Sequence, residues 1–167
     1  HKVIHVDELE GAGIENSPVD RCYLCKKYMF TKVKELAHSL GISTILEGTN
    51  ADDLKQYRPG IKAIKELGLH SPLLEANMTK KEIRELAATY GLKAANKPSS
   101  PCLATRFPYH TLLNYEEMRK VEKIEDYLHA CGFYNVRARI HNDIVRLEID
   151  QDAFMKCMDK RQEIVLF

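Results

Sequence analysis

Between Asp20 and Gly91 the apolar residues alternate between the three-and-four spacing of a helix and the short unbroken run of a strand, which restricts the chain to the α/β class. Leu24, Met29, Val33, Leu36, Ala37 and Leu40 predict a helix from Asp20 that stops at Gly41. Ser43-Thr44-Ile45-Leu46-Glu47 is short, partly β-branched and halted by Gly48, which predicts a buried strand. Ile61, Ile64 and Leu67 predict a helix over 59–67 closed by Gly68, and Ser71-Pro72-Leu73-Leu74 predicts a second short strand. Thr79 and Glu82 form a capping box ahead of Ile83, Leu86, Ala87 and Tyr90, and Gly91 ends that helix. Residues 1–19 read as irregular, with Gly11, Gly13, Asn16, Ser17 and Pro18 as turn formers.

The rhythm then breaks. Residues 94–113 carry Pro98, Pro101 and Pro108 around a single cysteine, Cys102, with Lys97 and Arg106 close by. Loops this long and stiff are often functional. Beyond them, Asn114 with Glu117 caps a predicted helix to Cys131, two strand-like runs (135–141 and 144–149) meet across Asn142-Asp143 as a hairpin, and 151–165 predicts a final helix. Helix, hairpin and helix make a separate α+β unit. The expected organisation is therefore an α/β domain over 1–109 and a small α+β domain over 110–167.

Charge and composition narrow the function. With 44% hydrophobic and 29% charged residues and a formal net charge of +1, the 167-residue chain has no general electrostatic demand for nucleic acid. No apolar run approaches the roughly 20 residues needed to span a bilayer. Five cysteines, an odd count without a secretion signal, argue against a disulfide framework and predict a reducing, cytoplasmic setting.

Two cysteine positions carry chemistry. Cys22-Tyr23-Leu24-Cys25 opens the first long predicted helix, where free N–H groups and Arg21, Lys26 and Lys27 favour thiolates. Such a pair suits soft-metal or cluster binding, redox exchange, or plain packing, and the residues alone leave these alternatives open. Cys102, between prolines and near two cations, is either a reactive thiolate or a loop cysteine without a task. Asn50, Asp52 and Asp53 are candidates for Mg²⁺ or nucleotide binding, with a helix-cap cluster the equally natural alternative. Arg137 and Arg139, two apart on a strand, share a sheet face and could bind phosphate, as against an ordinary solvated hairpin face that also includes Arg146. Cys131 and Cys157 read as structural.

Taken in order, Glu47-Gly48-Thr49-Asn50-Ala51-Asp52-Asp53-Leu54, Tyr57-Arg58-Pro59-Gly60, the segment Pro98-Ser99-Ser100-Pro101-Cys102-Leu103-Ala104-Thr105-Arg106-Phe107-Pro108-Tyr109 and Arg137-Ala138-Arg139 resemble the LarE family over nearly the whole chain. That resemblance implies a PP-loop fold of the adenine nucleotide alpha hydrolase type, a Rossmann-like domain followed by a small α+β domain that supports homo-oligomerisation. It implies an ATP-dependent sulfur transferase, acting with Mg²⁺, that adenylates a carboxylate of a pyridinium mononucleotide and inserts sulfur during nickel-pincer nucleotide synthesis. Cys102 matches the family's sulfur-donating cysteine. With Cys22 and Cys25 it matches the three-cysteine type, in which three thiolates hold a [4Fe-4S] cluster with one open iron. Arg106, Arg137 and Arg139 would then contact activated substrate or phosphate, with the two hairpin arginines alternatively facing a neighbouring subunit. The family's N-terminal Ser-Gly-Gly-x-Asp-Ser loop is not present in the sequence, so the polypeptide as given is expected to lack normal ATP binding. The rival readings are a PP-loop tRNA thiolation enzyme, an amidating ligase and a non-enzymatic zinc-binding module. Partners outside the small-molecule substrate and further copies of the chain are not expected, neither membrane nor nucleic acid.

Overall fold

Five helices end in the same way, each on a glycine followed by an apolar residue. In α2 (Arg21–Ser39) the Gly41 amide donates to His38 O at 3.0 Å and the Ile42 amide to Ala37 O at 2.9 Å, and Gly41 takes a left-handed φ of 72°. These are the paired bonds of a Schellman ending, which satisfies carbonyls the helix leaves orphaned. Gly13-Ile14 ends α1 (Glu8–Ala12), Gly68-Leu69 ends α3 (Gly60–Glu66), Gly91-Leu92 ends α5 (Lys80–Thr89) and Gly132-Phe133 ends α6 (Tyr115–Ala130), with the same two bonds. The apolar residue after the glycine is turned back toward its helix, and Ile14, Leu69 and Phe133 are buried there.

All 167 residues are described in this computed structural model, and they form two compact units, His1–Lys97 and Pro98–Phe167. In the first unit α1 and α3 pack on α2, around Leu9, Ala37, Ala63 and Ile64. Helix α1 lies in the stretch expected to be irregular. Asp7 caps it, its carboxylate accepting from the amides of Leu9 and Glu10. The capping box expected at the start of α5 is present in both directions, Thr79 with Glu82.

Both strands expected in this unit are replaced by something shorter. Residues 43–47 make one parallel bridge, Leu46 to His70, with the Glu47 amide donating to His70 O and the His70 amide to Ile45 O. Leu46 is 63% exposed, so the expected burial is absent. The partner run turns helical at once, because Pro72 fits the first position of the short helix α4 (Pro72–Glu75), where its missing N–H costs nothing. A strand with a single bridging residue opposite it has no ladder to extend.

The second unit is built on α6 and an antiparallel hairpin, β1 (Val136–His141) with β2 (Ile144–Ile149), in the register Val136 opposite Ile149. Asn142 turns the hairpin at a φ of 53°, which asparagine tolerates. Leu128, Phe133 and Val136 form one buried cluster, and Cys131, Cys157 and Ile164 pack against it. The last expected helix is two, α7 (Phe154–Asp159) and α8 (Arg161–Leu166), broken at Lys160. No helix is long and apolar enough to cross a membrane.

The expected boundary near residue 110 falls inside this second unit. The physical reason is a buried ion pair. Arg106 donates from Nε and Nη2 to the two carboxylate oxygens of Glu125 on α6, at 2.7 and 2.8 Å, and the side chains are only 2% and 10% exposed. Glu125 Oε1 also accepts the Ala138 amide of β1 at 2.8 Å. One carboxylate therefore joins the loop, the helix and the strand. Burial pushes the Glu125 carboxyl up, but the bonds from Arg106 and Ala138 outweigh it and hold the group below its ordinary value of 4.5.

A Cβ at Gly91 would meet nothing within 4 Å, so Gly91→Ala isolates the backbone cost of the left-handed φ of 67°. Urea unfolding should show a loss of about 1 kcal/mol without a change in slope. Glu125→Ala leaves Arg106 buried and unpaired, and should cost roughly 3–5 kcal/mol in the same measurement. Because the native Glu125 carboxyl is the more acidic one, its contribution is present above pH 4.5 and is lost as pH falls below that value. The acid limb of the stability curve should therefore flatten in Glu125→Gln.

Candidate functional site

The thiols that carry the chemical argument are divided between the two units. In the first unit, Cys22 and Cys25 lie in the opening turn of α2, three residues apart and thus on neighbouring positions of one helix face. Cys22 is exposed, Cys25 is half-buried, and neither is in a disulfide. No side chain caps the helix at Asp20. Gly60, the first residue of α3, sits close to this turn: a Cβ there would stand 3.5 Å from Cys22 O and 2.8 Å from Lys26 Cδ.

Lys26, next to the cysteine pair, points to Glu47 at 3.7 Å. Glu47 is the polar centre of the segment that follows the parallel bridge. Its carboxylate accepts from the Ser71 hydroxyl and from both the hydroxyl (2.8 Å) and the amide (3.1 Å) of Thr49. Burial pushes the Glu47 carboxyl up, yet the hydrogen bonds from Ser71 and Thr49, with Lys26 behind them, leave it below the usual carboxylate range. Glu47 is a fixed anion, linked to α2 through Lys26.

Asn50, Asp52 and Asp53 are occupied with the turn they sit on. The Asn50 side chain accepts the Asp52 amide at 3.1 Å, and Asp53 accepts the Asn50 amide at 3.1 Å while pairing with Arg58 at 2.9 Å. Asp52 pairs with Lys55 at 2.9 Å and accepts the Lys80 amide at 2.8 Å, which ties the turn Ala51–Lys55 to the start of α5. This is the helix-cap arrangement. Neither unit gathers three or more His, Cys, Asp or Glu side chains into a metal-holding group.

In the second unit, Cys102 is exposed at the entry to the turn Leu103–Arg106. Its carbonyl accepts both the amide (3.0 Å) and the hydroxyl (2.7 Å) of Thr105. Arg106 Nη1 donates to that same Thr105 hydroxyl at 2.9 Å and to Pro101 O at 3.3 Å. The main chain on either side of Cys102 is thus bolted to the Arg106–Glu125 pair while the thiol stays open to solvent. Arg106 was expected to hold substrate, and the structure spends its guanidinium on the loop instead: buried, with every nitrogen engaged, it has no face left for a ligand.

The hairpin arginines remain at the surface. The register places Arg137 opposite Glu148 and Arg139 opposite Arg146, all on one face. Arg139 donates to Glu148 at 2.7 Å and to Thr105 O at 2.8 Å, which brings the arginine face up to the turn that begins at Cys102. Arg146 meets the same Glu148 oxygen at 2.8 Å. Hydrogen bonds from Arg139 are the chief reason that the Glu148 carboxyl lies below its ordinary value.

Glu125 is the participant that the sequence reading missed. A signal was available: Met118, Val121, Glu125 and Leu128 follow the apolar stripe of α6, and a carboxylate on that stripe must be paired.

No protein-family model matches the chain. Among curated proteins, it is 37% identical over 156 residues to an uncharacterized protein of Synechocystis sp., covering 93% of the chain and 58% of that protein. It is 32% identical over 164 residues to an uncharacterized protein of Methanocaldococcus jannaschii, covering 98% of the chain and 62% of the relative. It is also 38% identical over 146 residues to the pyridinium-3,5-bisthiocarboxylic acid mononucleotide synthase of Lactiplantibacillus plantarum, covering 87% of the chain and 53% of that enzyme. The chain spans somewhat over half the length of these relatives. Identity at this level over most of its residues, with the synthase among the matches, means that the chain belongs to the LarE family.

Proposed function

We propose that the chain is the thiol-bearing part of an ATP-dependent sulfur transferase that acts on a pyridinium mononucleotide. The observation that carries this reading is Cys102: a free, exposed thiol on a main chain fixed at both sides, with the arginine face of the hairpin joined to the same turn through Thr105. A sulfur donor or ligand must be accessible and still well placed, and this loop meets both conditions. His1–Lys97 would belong to a PP-loop domain, with Glu47 to Leu54 lining its nucleotide side. The α+β unit would support a homo-oligomer, and the setting would be the cytoplasm.

In this reading the full enzyme activates a substrate carboxylate by adenylation, and sulfur then displaces AMP from the acyl group. Cys22, Cys25 and Cys102 fit an iron–sulfur cluster in donor chemistry, being thiols outside any disulfide, two of them near the start of one helix. When bound, such a cluster supplies an iron that can carry exogenous sulfide, so that the protein's own sulfur is not consumed. Arg137 and Arg139 would neutralise the substrate phosphate. The role expected for Arg106 passes to positioning: it keeps the Cys102 turn in place through Pro101 and Thr105.

Anaerobic reconstitution with iron and sulfide should give cluster absorbance in the visible range that is lost when Cys22, Cys25 and Cys102 are replaced together by alanine. Absence of that absorbance, or its survival in the triple variant, removes the cluster from the reading. Peptide-resolved alkylation should also show Cys22 and Cys102 reacting with iodoacetamide well before Cys131 and Cys157, which pack against the core. Equal rates for all of them would contradict the accessible placement on which the reading rests.

A further inference from the structure

On the polar face of the hairpin, three cations surround one anion. Arg137, Arg139 and Arg146 share this face with Glu148, and a single Glu148 oxygen accepts from Arg139 Nε at 2.7 Å and from Arg146 Nη2 at 2.8 Å. One oxygen held between two guanidinium groups is also how arginines bind a phosphate oxygen. Arg139 is aimed by its second bond, to Thr105 O at 2.8 Å, so its fork is already oriented.

The side chains are 26% (Arg139), 55% (Arg146) and 35% (Glu148) exposed. Ion pairs this wet are weak, so an incoming ligand can break them. Three positive charges and one negative leave the face at +2, the size of the charge on a phosphomonoester dianion.

We propose that Glu148 is an intramolecular stand-in for the ligand's phosphate: a phosphomonoester displaces it from Arg139 and Arg146, and Arg146 joins Arg137 and Arg139 in holding the ligand. This rests on the phosphate reading of the hairpin given above and adds a specificity device to it. A monoanion offers these arginines nothing that the tethered carboxylate does not already offer at high effective concentration. A dianion with three oxygens can bridge several guanidinium groups at once and wins the competition. Glu148 thus filters singly charged ions away from the site.

Calorimetric titration of the 167-residue chain with inorganic phosphate, at fixed ionic strength in a phosphate-free buffer, tests the proposal. Glu148→Gln keeps the size of the side chain and an acceptor for Arg139 while removing the competing charge, and should tighten phosphate binding about tenfold. Arg146→Gln, at an exposed position whose loss the fold tolerates, should weaken it about tenfold. Unchanged or weaker binding in Glu148→Gln, with Arg146→Gln still weakened, overturns the displacement while leaving the arginine site standing. If neither the wild type nor Glu148→Gln shows saturable binding, the phosphate reading falls together with the proposal.

Discussion

The second unit depends on one buried carboxylate. Glu125 accepts both forks of Arg106 and the amide of Ala138, so the loop, α6 and the outer edge of β1 meet on its two oxygens. Desolvating two charges is costly, and a pair of this kind is seldom a net source of stability compared with well-packed apolar groups. Its value lies in direction. The Ala138 amide faces away from β2, and an unpaired strand edge is both a desolvation cost and an invitation to foreign strands. Glu125 satisfies that amide, and Arg106 makes the burial of Glu125 tolerable. The same guanidinium reaches Thr105 and Pro101, which ties the loop to the buried core in addition to its own turn bonds and the Arg139 bond to Thr105 O.

This arrangement separates two demands on Cys102. The backbone around it is fixed through buried bonds, and the thiol itself remains exposed. Arginines are therefore used in two distinct ways within one small unit. Arg106 is enclosed and structural, whereas Arg137, Arg139 and Arg146 stay at the surface with fewer acidic partners than positive charges. Arg139 belongs in part to both groups, since its bond to Thr105 O ties the surface face to the loop.

In the first unit the polar groups are mostly consumed by local structure. Asn50, Asp52 and Asp53 cap a turn, pair with Arg58 and Lys55, and join that turn to α5. Glu47 differs, because it is buried, held as a carboxylate by hydroxyl and amide donors, and directed toward Lys26 beside the cysteine pair.

Much of the fold could be read from local chemistry. Thr79 with Glu82, Asn114 before Glu117, the stops at Gly41, Gly68 and Gly91 and the Asn142 turn act within a few residues of chain, and each appeared as expected. So did the shared face of Arg137 and Arg139, since a strand's alternation is a property of the backbone alone. The strand at 43–47, the limit of the second unit and the fate of Arg106 could not be read in this way. A strand exists only where another segment completes its hydrogen bonds, and Pro72 diverted the expected partner into a helix. An arginine beside a cysteine looks the same in sequence whether it faces solvent or a buried glutamate nineteen positions later. The sequence by itself determined the caps and glycine stops of α2, α3, α5 and α6, the hairpin turn and the chemical type of every candidate residue, because those are set by short-range backbone preferences. Only the tertiary structure decided which charges were spent on the fold and which were left for a ligand, because that depends on which residues distant in the chain are buried together.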